Sequence, residues 1–178
     1  MFHKILVAID QSDLADHVVE IAIAQAKTTA GNLLLLHIIH MQEKGFPLIE
    51  GRISGNYNPE YFNAEADFYE QHWKTYEQMG LKLLQAYSER AIAAGVGAES
   101  MQKTGDLVGN PGETICAIAQ EWEADLIVIG HRGLCGVKEL IQGSVSNYVF
   151  HHAPCSVLSV QHPITIKTEK TEPTLAHT

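Results

Sequence analysis

Leu126-Ile127-Val128-Ile129-Gly130-His131-Arg132-Gly133, then nine residues, then Gly143-Ser144-Val145-Ser146, is the most informative stretch of this chain. Leu126 to Ile129 is a short apolar run bounded by a glycine, the pattern of a strand buried on both faces inside a parallel sheet. Ser144 opens a short helix that turns Val145, Tyr148 and Val149 inward, and Pro154 ends it. Between them lies G-x-x-G-x9-G-S, for which a chance match is on the order of one in a hundred. Glycines allow close backbone approach and φ > 0, so successive N–H groups can converge on an anion. A helix N-terminus adds unpaired donors and a positive dipole end, and the hydroxyls of Ser144 and Ser146 can donate to phosphate oxygens. Such charge-assisted bonds contribute about 1.5–3 kcal/mol each.

Working outward, strands and helices alternate. Ile5 to Ile9 is a first buried strand ending at Asp10, and Ser12 reads as an N-cap for a helix carrying Leu14, Val18, Ile21, Ala22 and Ala26 inward as far as Gly31. Leu33 to Ile39 is the second strand. Residues 41–62 hold Gly45, Pro47, Gly51, Gly55, Asn58 and Pro59 without periodicity and read as a long insertion loop. A helix with Tyr76, Gly80, Leu83, Leu84, Tyr87 and Ala91 on one face runs to Gly95, and Ala98 to Thr104 is a polar strand suited to an edge. Asn110-Pro111-Gly112-Glu113 starts another helix, with Ile115, Ile118, Ala119 and Trp122 inward. Cys155 to Val160 is the last strand. The pattern predicts one doubly wound α/β domain over 1–160 and a flexible tail over 161–178.

Composition narrows the function. The 178 residues carry 12 Lys and Arg against 21 Asp and Glu, a formal charge of −9, which argues against nucleic acid as the partner. The three cysteines are too widely spaced for a disulfide framework or a CxxC site. No apolar run is long enough for a signal core or a bilayer span, so a soluble, cytoplasmic protein without a membrane partner is expected. His151-His152 offers adjacent imidazoles pointing apart and no third ligand, so no metal site is expected. A Walker-type GxxxxGK[ST] is absent.

The glycine-serine pattern resembles the ATP-binding branch of the universal stress protein family. Ala8-Ile9-Asp10, Leu36-His37-Ile38 and His152-Ala153-Pro154-Cys155 add to the resemblance, which covers Phe2 to Val160. It implies a five-stranded parallel sheet in the order 3-2-1-4-5 with helices on both faces, an adenine nucleotide alpha hydrolase-like fold. It also implies adenine-nucleotide binding at the point where the winding reverses. Ala8, Asp10 and Ile38 match the adenine and ribose end, with the Ile38 backbone reading the base. Gly130, Gly133, Gly143, Ser144, Val145 and Ser146 match the phosphate positions. Asp10 is equally read as a helix-start carboxylate, and Ile38 as core. His131 and Arg132 either neutralise phosphate or form a solvated loop pair.

The expected function is therefore a stress or signalling regulator that holds ATP, or AMP, ADP or a cyclic dinucleotide, with Mg²⁺ accompanying the phosphates. No catalytic residue stands out, so an efficient enzyme is not expected. A slow ATPase, a phosphoryl or nucleotidyl transferase, and a nucleotide-free dimeric interaction module remain the alternatives. The resemblance implies a homodimer through the last strand. The loop over 41–62, with Lys44, Phe46, Arg52 and Tyr57, is expected to serve as a lid or a protein-docking surface.

Overall fold

Among the described residues nine elements alternate: β1 (Lys4–Ile9), α1 (Ala15–Thr29), β2 (Asn32–Ile39), α2 (Pro59–Ala93), β3 (Ala98–Thr104), α3 (Pro111–Glu121), β4 (Leu126–Gly130), α4 (Val145–His152) and β5 (Ser156–Val160). The computed structural model describes residues 1–40, 59–105, 109–131 and 145–161, with backbone alone at 59–67 and 69. All strand pairs are parallel and the order is β3-β2-β1-β4-β5, as the resemblance implied. Strand side chains alternate between two cores. Ile5, Val7, Leu33, Leu35, Leu126 and Val128 pack with Val18, Ala22, Leu84 and Tyr87 of α1 and α2. Leu6, Leu34, Leu36, Ile127 and Ile129 pack on the other face with Ile115, Ile118 and Val149 of α3 and α4. Burial on both faces is why β1, β2 and β4 are continuous apolar runs, whereas β3, at the edge, is polar.

Two local expectations are corrected. The insertion expected over 41–62 ends earlier, because residues 59–62 are already helical and Pro59 stands at the first position of α2. Proline lacks only an N–H that is unpaired there anyway, so it starts this helix rather than breaking it. Residues 41–58 lie outside the described residues. Ser12 does not cap α1; the cap position is Leu14, with no side-chain bond. The Ser12 hydroxyl turns back to the carboxylate of Asp10, and its carbonyl accepts from Ala15 N at 3.1 Å.

The 35 residues of α2 would span about 50 Å, twice the length of the strands it covers. Its second half lies on the sheet. Gly80 clears a buried relay in which His37 Nδ1 donates to Gln102 Oε1 (3.2 Å), whose amide donates to the carbonyl of Glu77 (3.1 Å). A Cβ at Gly80 would stand 2.5 Å from His37 Nδ1. Trp73 and Tyr76 pack on Ile39, the last residue of β2, so the earlier turns continue past the carboxyl edge of the sheet. The arginine fork of Arg90 binds Asp16 (3.2 Å) and Glu20 (2.6 Å), joining α2 to α1. Burial and the neighbouring Asp16 push the Tyr87 hydroxyl up to about 12, so it stays a neutral donor to that carboxylate.

At the opposite end of the sheet, Asp125 accepts from the amides of His3 (2.8 Å) and Lys4 (2.9 Å), stitching the start of β4 to β1. Those two bonds hold its carboxyl below the usual aspartate value. A lowered folded-state value stabilises above the unfolded value of about 3.9 and is lost as pH falls through the folded one. Asp125→Asn should therefore lower the urea midpoint at pH 7, and the gap from the parent should close as pH drops below about 4. A gap that stays constant over that range would contradict this account.

Candidate functional site

β1 is the central strand, and the crossovers leave it in opposite directions, so the carboxyl ends of β1 and β4 flank the reversal of winding. The register defines what stands there. Ala8 is level with Leu36 on one side and Ile129 on the other. Two residues further along, Ile38 is still within β2, whereas Asp10 and His131 stand just past the ends of β1 and β4. Ile9↔His37 is the last β1–β2 pair, while β2–β3 pairing continues to Ile39↔Thr104. The carbonyl of Ile39 accepts from Gly105 N (3.4 Å) on the β3 side. Successive residues of a strand point their polar groups in opposite directions, so the carbonyl of Ile38 faces the notch above β1. The chain thus has a main-chain acceptor aimed into the crevice, with Ala8 below it.

Asp10 closes the turn that leaves β1: its Oδ1 accepts from Ser12 N (3.2 Å) and from the Ser12 hydroxyl. The helix-start reading of this carboxylate is therefore part of its role. On the β4 side, His131 N donates to the carbonyl of Val160 (2.7 Å), anchoring the end of β4 to β5. The imidazole reaches across to α4, with Nδ1 3.0 Å from the hydroxyl of Ser146. Ser146, in the first turn of α4, is buried, and Val145 precedes it half-buried on the α3/α4 core. Hence Ala8, Asp10, Ile38, Gly130, Val145 and Ser146 collect along one edge of the sheet. Arg132, Gly133, Gly143 and Ser144 lie outside the described residues.

Gly130 has a different local reason from the one its motif suggests. It belongs to the extended strand β4, and among the described glycines only Gly95 has a left-handed φ, at 81°. A Cβ on Gly130 would lie 3.0 Å from Leu14 Cδ2 and 3.3 Å from Val18 Cγ2. The missing side chain lets α1 press against β4. Cys116 and Cys155 are free and half-buried, and burial raises both thiols, which disfavours thiolate chemistry. Among the described residues no group of three or more His, Cys, Asp or Glu could hold a metal, and no helix is long and apolar enough to cross a membrane.

The edge has two features that sequence reasoning missed. His131, read from the sequence as a phosphate-neutralising charge or half of a solvated loop pair, is a partner of Ser146. His40, buried at the end of β2, donates from Nε2 to the carbonyl of Gly109 at 2.7 Å. Nothing in the spacing of residues 40 and 109 signals that contact.

The chain is similar to known proteins in sequence and in fold. The family model described as "Universal stress protein family" matches residues 1–161. The universal stress protein Sll1388 of Synechocystis is 34% identical over 165 residues, covering 90% of this chain and 99% of the relative. A universal stress protein from Arabidopsis thaliana, solved with AMP bound, superposes with a TM-score of 0.57 at 24% identity, over 94% of this chain and 97% of its own. A universal stress protein solved in complex with cAMP gives 0.59 at 23% identity, over 91% and 98%.

The packing at Gly130 is testable. Gly130→Ala should lower the urea midpoint without changing the slope, at a cost of about 1–2 kcal/mol from overpacking against Leu14 and Val18. If stability were unchanged and only anion affinity fell, the glycine would be reserved for a ligand rather than for α1.

Proposed function

The chain belongs to the universal stress protein family, and from that premise we propose that it is an adenine-nucleotide-binding regulator whose site is the notch above β1. The observation that carries this reading is the carbonyl of Ile38, which faces the notch two residues beyond the Ala8↔Leu36 pair. Adenine presents an exocyclic amino donor to such an acceptor, whereas guanine presents a carbonyl oxygen in the corresponding place. The AMP and cAMP complexes of the two structural neighbours support the same ligand class.

In this reading the base lies against Ile38 and Ala8, and the ribose lies near Asp10. The phosphates run toward Val145, Ser146 and Gly130, with Arg132, Gly133, Gly143 and Ser144 completing their cradle. The dipole of α4 and the Ser146 hydroxyl favour negative charge there, which lets an acidic chain hold a polyanion. ATP is the nucleotide proposed, with Mg²⁺ arriving on its phosphates. Binding would alter the surface that a protein partner sees, and the protein would act in the cytoplasm. Hydrolysis is expected to be slow, because Asp10 Oδ1 is already engaged by its own turn.

Titration calorimetry should give a dissociation constant for ATP at least about tenfold below that for GTP, the worth of one well-placed hydrogen bond. Ser146→Ala should weaken ATP by about tenfold or more while leaving the ATP-to-GTP ratio intact. Equal affinity for both nucleotides, or none for either, would overturn the reading.

We also propose a homodimer through β5. This edge strand carries half-buried Val157 and Leu158 and, among the described residues, has no neighbour beyond β4. An open strand edge is a ready template for a second copy. Sedimentation velocity should show a dimer that dissociates when Leu158→Lys is introduced; a parent that sediments as a monomer at all concentrations would exclude it.

A further inference from the structure

His131 is held at two points just past the carboxyl end of β4. Its main-chain N–H donates to the carbonyl of Val160 at 2.7 Å, which fixes its backbone to β5. Ala8↔Ile129 is the last β1–β4 pair, so His131 follows two residues later at the same edge of the sheet as the notch. Ile129 faces the α3/α4 core, and His131, two residues on, points the same way. Its ring reaches the first turn of α4, where Nδ1 stands 3.0 Å from the hydroxyl of Ser146. Ser146 is 4% exposed, so bulk water does not level out the direction of this bond.

A serine hydroxyl has one proton and can both give and accept. A bare Nδ1 takes that proton, and the hydroxyl then offers only lone pairs to anything else. An Nδ1 that bears hydrogen donates to Oγ instead, and the serine proton is released to point elsewhere. An ionised phosphate oxygen only accepts, so only the second arrangement serves it.

We propose that His131 is a positioning residue for the phosphate end of the site. Resting on the adenine-nucleotide reading above, His131 donates from Nδ1 to Ser146 Oγ and so turns the serine proton toward the ligand. A bound phosphate thereby selects the Nδ1–H form of the imidazole. The ring need not touch the nucleotide, and it need not be charged, because a neutral imidazole with its proton on Nδ1 orients the hydroxyl equally well. Base recognition lies on the β2 side and takes no part, so ATP and GTP are affected alike.

The full-length parent is compared with His131→Phe, which keeps a ring without a donor, and with His131→Asn, which sets an uncharged amide N–H near the place of Nδ1. Ser146→Ala and the double variant His131→Phe/Ser146→Ala complete a cycle, and each protein is titrated with ATP, GTP and adenosine. His131→Phe should lose about tenfold in ATP affinity, with adenosine affinity and the ATP-to-GTP ratio at the parent values. His131→Asn should recover most of that loss. On the Ser146→Ala background His131→Phe should have no further effect, because it acts through the hydroxyl. Additive losses, or an Asn variant no better than Phe, overturn the proposal and leave His131 as a charge or a brace between β4 and α4. If His131→Phe fails to fold, ¹⁵N NMR of the imidazole in the parent decides: with ATP bound Nδ1 should bear hydrogen, and a bare Nδ1 in that complex overturns the proposal. A parent that binds no ATP, or binds adenosine as tightly as ATP, would instead bring down the nucleotide reading, and the role of His131 with it.

Discussion

Main-chain pairing between β1 and its two neighbours is the constraint on which the rest depends. β1 pairs with β2 as far as Ile9↔His37 and with β4 as far as Ala8↔Ile129, then the chain turns away at Asp10 while β2 continues to Ile39. A central strand that stops short leaves a notch whose walls are carbonyls and amides of the strands beside it. Those groups are fixed by the sheet, so a ligand seated in the proposed site would meet donors and acceptors that need no side-chain ordering. A slip of one residue would exchange the Ile38 and Ile39 carbonyls and reverse every core contact, which the two apolar faces forbid.

That sheet was legible because burial on both faces writes itself as unbroken apolar runs. The strand containing Leu33–Ile39 begins one residue earlier than expected, and the one expected from Cys155 begins one later. Asn110 capped α3 as its side chain dictates. Expectation failed where a local signal has two meanings. Pro59 is both a breaker and a first-turn residue, and Ser12 is both a cap and a turn former; only the neighbouring geometry separates these roles. Gly130 sits within the glycine-serine spacing, yet its Cβ space is filled by Leu14 and Val18, at the start of α1. Its spacing was readable and its packing was not.

Long-range polar contacts were the least legible part. His37–Gln102, His40–Gly109 and His131–Ser146 each join segments distant in sequence, and single histidines carry no periodic signature. All three histidines lie toward the carboxyl edge, His37 near the end of β2 and His40 and His131 just past the ends of β2 and β4. There strand side chains run out of apolar neighbours, and imidazoles satisfy the carbonyls and hydroxyls that a leucine would leave buried and unpaired.

These contacts also divide the edge into two mechanically separate halves. The half beside Ile38 is secured through β2, β3 and the start of α3; the half beside Ser146 is secured through β4, β5 and α4. Only β1 lies between them. In the proposed reading the first half recognises the base and the second the phosphates, so the two affinities add as nearly independent terms. A protein built this way keeps one base while tolerating different phosphate tails. In that reading the ligand class follows from the sheet register.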